Sequence, residues 1–250
     1  MAATPAPTFV DSIDELRKML DTFEDLPTSS VSIYVDLEGV DLSRHGTVSI
    51  LQIHLAPQNH TYLVDIHVLQ SQAFSITASN GITSLKTILE SGTIRKAFFD
   101  VRNDSDALFS HFSIYLAGVV DIQLLELAAR NYSRKYVSGL SKCVEKDAPM
   151  NATERSAWNT TKENGKKLFA PDQKGSYEVF NQRPMTTEII SYCAQDVWVL
   201  PKLLSRYQGK LSVAWKGKVE EATRKRIAQS QEPNFNGKGK HMAEGPAEWD

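Results

Sequence analysis

VSIYVDLEG, residues Val31 to Gly39, reads as a buried strand that closes on two carboxylates, Asp36 and Glu38. Alternate side chains of a strand share a face, so both carboxylates point the same way. The hydrophobic residues carry the strand into a core, and the acids sit where it emerges. Gly39 follows directly, which lets the chain turn or another backbone come close. Paired carboxylates at the end of a central strand form a seat for a divalent metal with oxygen ligands. The same pair also suits an acidic turn at the end of an ordinary strand, so its meaning depends on the chain downstream.

Outward from this strand the pattern is regular. Residues 1–8 read as a flexible leader. A helix then begins at Asp11–Glu15, with Ser12 and Glu15 in capping-box spacing and Ile13, Leu16, Met19, Leu20 and Phe23 as its apolar stripe. After Val31–Asp36, the stretches TVSILQIHL (47–55) and HTYLVDI (60–66) read as two further strands, so three strands on short connections predict an antiparallel meander. Helices are predicted at 66–71 and 82–91, a strand at 94–100, a helix at 102–112 and a strand at 118–122. Helices follow at 123–134, 139–147, 153–168 and 186–206. A meander followed by strand–helix alternation predicts an α/β fold with a mixed sheet. Phe169 to Pro184 reads as a long loop of the kind that is functional or disordered. Beyond it, residues 208–250 read as a basic amphipathic helix (215–229) and a disordered glycine- and lysine-containing tail.

Composition narrows the function classes. The 250 residues carry 28 Lys and Arg against 30 Asp and Glu, a net charge of −2, so any basic surface that attracts nucleic acid must be local. Cys143 and Cys193 lie outside metal-ligand spacing and read as reduced, partly buried thiols of an intracellular protein, nucleus and cytoplasm not distinguished. No apolar run approaches a membrane span, and the N-terminal residues lack the pattern of a secretory signal.

Two more acidic clusters complete the chemistry. Asp100, Asp104 and Asp106 lie where a strand gives way to a helix; one of them can cap that helix while another faces Asp36 and Glu38. Tyr192 and Asp196 are four residues apart on a late helix, close to its apolar stripe, where an aspartate needs a partner or a metal. A plain Tyr–Asp surface pair has the same spacing. Together the clusters supply four carboxylates and a phenol, a set suited to two metal ions about 3.5–4 Å apart and in-line displacement at a phosphodiester. With an ordinary pKa of about 10, Tyr192 is a poor base at neutral pH and a better orienter of water.

The motifs VDLEG (35–39), FFDVRNDSDALF (98–109) and SYCAQDVWVLPKL (191–203) resemble those of the DEDD superfamily of 3′–5′ exonucleases. The tyrosine in the last motif, with Ser191 where the other branch has histidine, resembles the branch of ribonuclease D, the exosome's distributive exonuclease and the Werner-type exonuclease. The resemblance spans roughly residues 12–206. It implies a ribonuclease H-like (DnaQ-like) fold with a mixed five-stranded sheet flanked by helices, in a domain covering residues 9–207. It selects Asp104, with Leu108 four residues later, and leaves Asp100 and Asp106 as fallbacks. Asp36, Glu38, Asp104 and Asp196 are then the implied ligands of two Mg2+ or Mn2+ ions, and Tyr192 positions the water. The segment KLFAPDQKGSYEVFNQRP (167–184) is similar to one in stand-alone eukaryotic, including fungal, exonuclease-domain proteins. Some members of that branch have lost acidic residues and act as RNA-binding scaffolds, which is the alternative function; this chain keeps all five positions.

Such an enzyme grips a single-stranded 3′ end through basic and aromatic residues. Lys174, Tyr177 and Arg183 in the 169–184 loop are the expected substrate contacts, with Lys216, Lys218, Arg224, Lys225 and Arg226 further on as a solvated or binding surface. The expected partner is single-stranded nucleic acid with a free 3′ end, RNA ahead of DNA, with no membrane and no indicated protein partner. Hydrolysis of a nucleotide or cap-like metabolite uses the same chemistry.

Overall fold

Strict alternation in Ile33–Glu38 decides which way the central strand faces. Ile33, Val35 and Leu37 enter one core cluster, whereas Tyr34 enters a second on the opposite face, the face that also carries Asp36 and Glu38. The structure is a computed structural model that describes residues 6–23 and 26–249.

Six strands form one mixed sheet among these residues: β1 (Thr8–Val10), β2 (Ile33–Glu38), β3 (Ile50–Leu55), β4 (His60–Asp65), β5 (Lys96–Phe98) and β6 (Val119–Asp121), in the order β1-β4-β3-β2-β5-β6. The expected meander is β2-β3-β4, with Asp36 opposite Gln52 and Glu38 opposite Ile50. β5 and β6 then extend the sheet in parallel on the far side of β2. The helices are α1 (Ile13–Asp21), α2 (Ile66–Leu69), α3 (Gln72–Ser75), α4 (Leu85–Glu90), α5 (Arg102–Phe112), α6 (Ile122–Ala128), α7 (Leu140–Asp147), α8 (Ala152–Phe169), α9 (Thr187–Trp198), α10 (Leu200–Gln208) and α11 (Val213–Ser230). Ser12 caps α1 as its spacing predicts, its hydroxyl accepting from the Glu15 N–H at 3.4 Å. Cys143 and Cys193 are buried thiols in separate clusters.

Four expectations change. The sheet has a sixth strand: Thr8–Val10 pairs in parallel with β4, and the Thr8 hydroxyl lies 2.8 Å from His60 Nε2. Three residues are too few to show an alternating pattern, so this edge strand was absorbed into the leader and the gap before α1. The leader itself, up to residue 5, lies outside the described residues. The single helix expected at 186–206 breaks at Val199, because Pro201 cannot continue the hydrogen-bond ladder and instead opens α10. The helix expected at 123–134 stops at Ala128.

The tail differs most. α11 packs on α5, α6 and β6, and the chain beyond it folds back across the molecule. Val137 N–H donates to the Ala243 carbonyl at 2.9 Å, and Trp249 is buried edge-on to Trp215 at 5.3 Å. Glycine- and lysine-containing composition suggested disorder, but this segment is held by main-chain bonds and one tryptophan anchor, neither of which composition reports.

Candidate active site

β2 delivers Asp36 and Glu38 to the face of the sheet on which α9 lies. α9 starts at Thr186, whose hydroxyl accepts from the Ile189 N–H at 3.4 Å, and its apolar stripe beds on Ile50 and Leu63 of the neighbouring strands. That seating turns Asp196 and Tyr192 towards the acids. Ligand oxygens of Asp36, Glu38 and Asp196 lie within 4.8 Å of one another.

Asp104 stands on the first turn of α5, the helix that follows β5. Burial raises its carboxyl well above the usual range, and Asp36 is the charge that adds most. The two fallback acids are engaged elsewhere. Asp100 takes a bidentate grip from Arg102 at 2.6 Å, and Asp106 binds the backbone N–H and Nε of Arg44 at 2.8 and 2.7 Å. Asp104 is therefore the member of that cluster without an ion pair among the described residues; it feels the charge of Asp36 but lies outside the trio whose ligand oxygens fall within 4.8 Å.

Such crowding is costly without a cation. Burial and then Asp196 push Asp36 up to about 7. Burial, Asp36 and Asp196 raise Glu38 well above its ordinary value, and burial raises Asp196 against the moderating charge of Lys162. Oδ1 of Asp196 is buried with no hydrogen-bond partner. An all-oxygen donor set with one orphaned carboxylate oxygen fits a hard divalent cation. Tyr192 is also raised, by burial and then by Glu38, so its hydroxyl keeps its proton.

Three supporting residues escaped the sequence reading. Lys162 on α8 donates to Asp196 and to the Tyr192 hydroxyl, and burial that would lower its pKa is outweighed by Asp196 and the other acids. Gln52, with its amide nitrogen turned to the acids, donates to the Cys193 carbonyl at 2.9 Å and to Asp36 at 3.3 Å. Gly165 lets α8 close on the tyrosine, since a Cβ there would fall 2.6–2.7 Å from Tyr192 side-chain atoms. The available signal was the spacing of Trp158, Lys162 and Gly165, which share one face of a predicted helix.

The expected substrate residues separate. Arg183 is consumed by structure: its guanidinium grips the buried Asp65 with two bonds and donates to the Phe180 and Gln182 carbonyls at 2.9 and 2.7 Å. Tyr177 is half-exposed and stacks on Phe169 at 5.8 Å, and Phe169 meets the Tyr192 ring edge-on at 5.0 Å. Lys174 is exposed, at the end of a short 3-10 turn.

The family profile described as 3′–5′ exonuclease matches residues 7–212. The chain belongs to this exonuclease family. Its fold is ribonuclease H-like, and the exonuclease is a hydrolase acting 3′ to 5′. It is similar to the solved structure of Trypanosoma brucei RNase D in complex with RNA U12, at 20% identity and a TM-score of 0.73, covering 98% of this chain and 78% of that one. Escherichia coli RNase D is similar at 18% identity and a TM-score of 0.59, with 90% of the exonuclease and 51% of the other chain covered. Brucella melitensis NrnC bound to pGG follows at 17% identity and a TM-score of 0.56, covering 83% and 87%. No curated protein matches the exonuclease in sequence.

Proposed function

We propose that Asp36, Glu38, Asp104 and Asp196 hold two divalent cations, Mg2+ or Mn2+, with which the exonuclease removes nucleotides from the 3′ end of single-stranded nucleic acid, RNA ahead of DNA. The observation that carries this reading is the convergence of Asp36, Glu38 and Asp196, with ligand oxygens inside 4.8 Å; Asp104, outside that trio, is raised by burial and then by the charge of Asp36. When bound, the cations would acidify the attacking water and stabilise charge on the leaving 3′ oxygen. Tyr192, protonated throughout the neutral range, orients that water through its hydroxyl. Water oxygen bonds to phosphorus as the bond from phosphorus to the 3′ oxygen breaks, and the proton ends on the new 3′ hydroxyl. Lys162 offsets part of the acids' charge and fixes Asp196 and Tyr192 relative to each other. All of these side chains fall within residues 9–207.

The half-exposed Tyr177, stacked on Phe169, forms a platform leading to Tyr192 on which a base near the 3′ end stacks, and the exposed Lys174 on the same loop takes the phosphate. The similar T. brucei RNase D was solved with RNA, which supports RNA as the substrate class.

The test is a 5′-labelled single strand, RNA or DNA, incubated with Mg2+ or Mn2+. Laddering from the 3′ end, faster on RNA and abolished by Asp36→Ala or Asp196→Ala, is the expected result. Tight binding without cleavage under either metal would instead make the chain a scaffold.

A further inference from the structure

The exonuclease family match ends at residue 212, yet the chain beyond it grips the turn that carries Asp104 from nearly every side. Arg226 of α11 donates to the fully buried Asp121 at 2.7 Å and lies 3.6 Å from Asp100. Asp121 in turn accepts from the backbone N–H groups of Asp100 and Val101, at 3.2 and 3.4 Å. Arg102 donates to the Met242 carbonyl at 2.7 Å. Gly237 abuts Asn103 so closely that a Cβ would fall 2.1 Å from its Oδ1. Ser105 and Ser230, both buried, share a hydrogen bond of 2.8 Å. Asp106 is held by Arg44, whose guanidinium also reaches the carbonyls of Ser230, Glu232 and Pro233 at 2.8–2.9 Å.

Asp100, Arg102, Asn103, Ser105 and Asp106 are thus tied to the C-terminal segment directly or through one arginine, and Asp104 in their midst makes no ion pair among the described residues. We propose that Arg226 and Ser230, both on α11, are positioning residues that set Asp104 against Asp36 for cation binding. The inference rests on the assignment of Asp104 as a ligand. Its physical basis is general: outer groups that orient a metal-binding carboxylate determine how well it binds, and their loss typically weakens affinity about 10–100-fold. The fully buried Asp121 makes Arg226 hard to replace, because its guanidinium reaches two carboxylates at once.

Full-length chain is the material for the test. Mn2+ binding is read by electron paramagnetic resonance without substrate, alongside kcat and KM on a labelled single strand. Arg226→Lys keeps the charge and loses the fork; Ser230→Ala removes one hydroxyl and leaves the fold intact should the lysine variant not fold. Val219→Ala, on α11 but packed in the second core cluster, is the control for simple destabilisation. The expected result is Mn2+ affinity lowered about tenfold by Arg226→Lys and about threefold by Ser230→Ala. kcat falls in both, KM for nucleic acid is unchanged, and Val219→Ala binds Mn2+ like the parent despite a lower Tm. Mn2+ bound equally by Arg226→Lys, Ser230→Ala and the parent overturns the inference alone. A parent chain that binds no Mn2+ overturns the metal reading of the site, and the inference with it.

Discussion

Lys162 Nζ donates to Asp196 and lies 3.2 Å from the Tyr192 hydroxyl, with the tyrosine ring centred 4.4 Å away. One lysine therefore touches both functional groups of the last motif, and it is the cation facing Asp36, Glu38 and Asp196. Lys162→Met keeps the packing against Trp158 and Tyr192 but leaves Asp196 without its partner. In chelator the variant should lose about 3 kcal/mol of unfolding free energy. Mn2+ should restore more stability to it than to the parent, because a divalent cation replaces the missing charge. Denaturant titrations with and without Mn2+ check both statements.

Acidity follows from the same crowding. Burial and then Asp196 push Asp36 up to about 7 in the folded chain, whereas an aspartate of the unfolded chain ionises at about 4. Between these values the folded chain holds a proton that the unfolded chain has lost, so stability falls as pH rises through this window. Cation binding needs the ionised acid and so releases the proton, strengthening as pH rises through about 7. Thermal melts in chelator should give a higher Tm near about pH 6 than near about pH 8, and Mn2+ should raise Tm more at the higher pH.

Tyr192→Phe retains the edge-on contact with Phe169 and removes only the hydroxyl. If that hydroxyl orients water, kcat should fall about a hundredfold with Mn2+ affinity kept. Single-turnover cleavage and Mn2+ titration separate the two effects.

Gly165→Ala inserts a methyl group within 2.7 Å of Tyr192 ring atoms, and one of the helices has to move. A stability loss of about 1–3 kcal/mol is expected, with kcat reduced more than KM is raised because the hydroxyl shifts. Calorimetry and steady-state kinetics give the two numbers.

Tyr177 and Arg183 should behave in opposite ways. Tyr177→Ala removes an exposed stacking face and should raise KM several-fold at constant Tm, as expected of base stacking worth about 1–3 kcal/mol. Arg183→Ala strands the buried Asp65 and should cost about 3–5 kcal/mol of stability with KM unchanged in the folded fraction. Salt titration of substrate binding adds a check, since phosphate contacts weaken with salt and the Arg183–Asp65 pair is shielded from it.

Much of the site was legible because its parts are local patterns. Asp36 and Glu38 share a face by strand alternation, and Tyr192 and Asp196 by helical spacing; both relations hold in the structure. The meander was legible for the same reason, as three apolar runs on short connections. Arg183 was misread because a basic residue in a loop looks the same whether it faces solvent or a buried aspartate contributed from residue 65. Lys162 was missed because the spacing that sets it on one helix face with Trp158 and Gly165 does not say which acids, from β2 and α9, that face will meet.

By itself the sequence determined the strand that bears the first two acids, the order of the three motifs, and the periodicity that aims each motif at one face. These are relations between near neighbours, and steric and hydrophobic periodicity encode them directly. Tertiary structure decided which aspartate among residues 100–106 is free, which lysine enters the acid cluster, and that the C-terminal segment packs on the Asp104 turn instead of trailing in solvent. Each of those depends on charges and main-chain groups separated by tens to more than a hundred residues, whose distances exist only once the chain has folded.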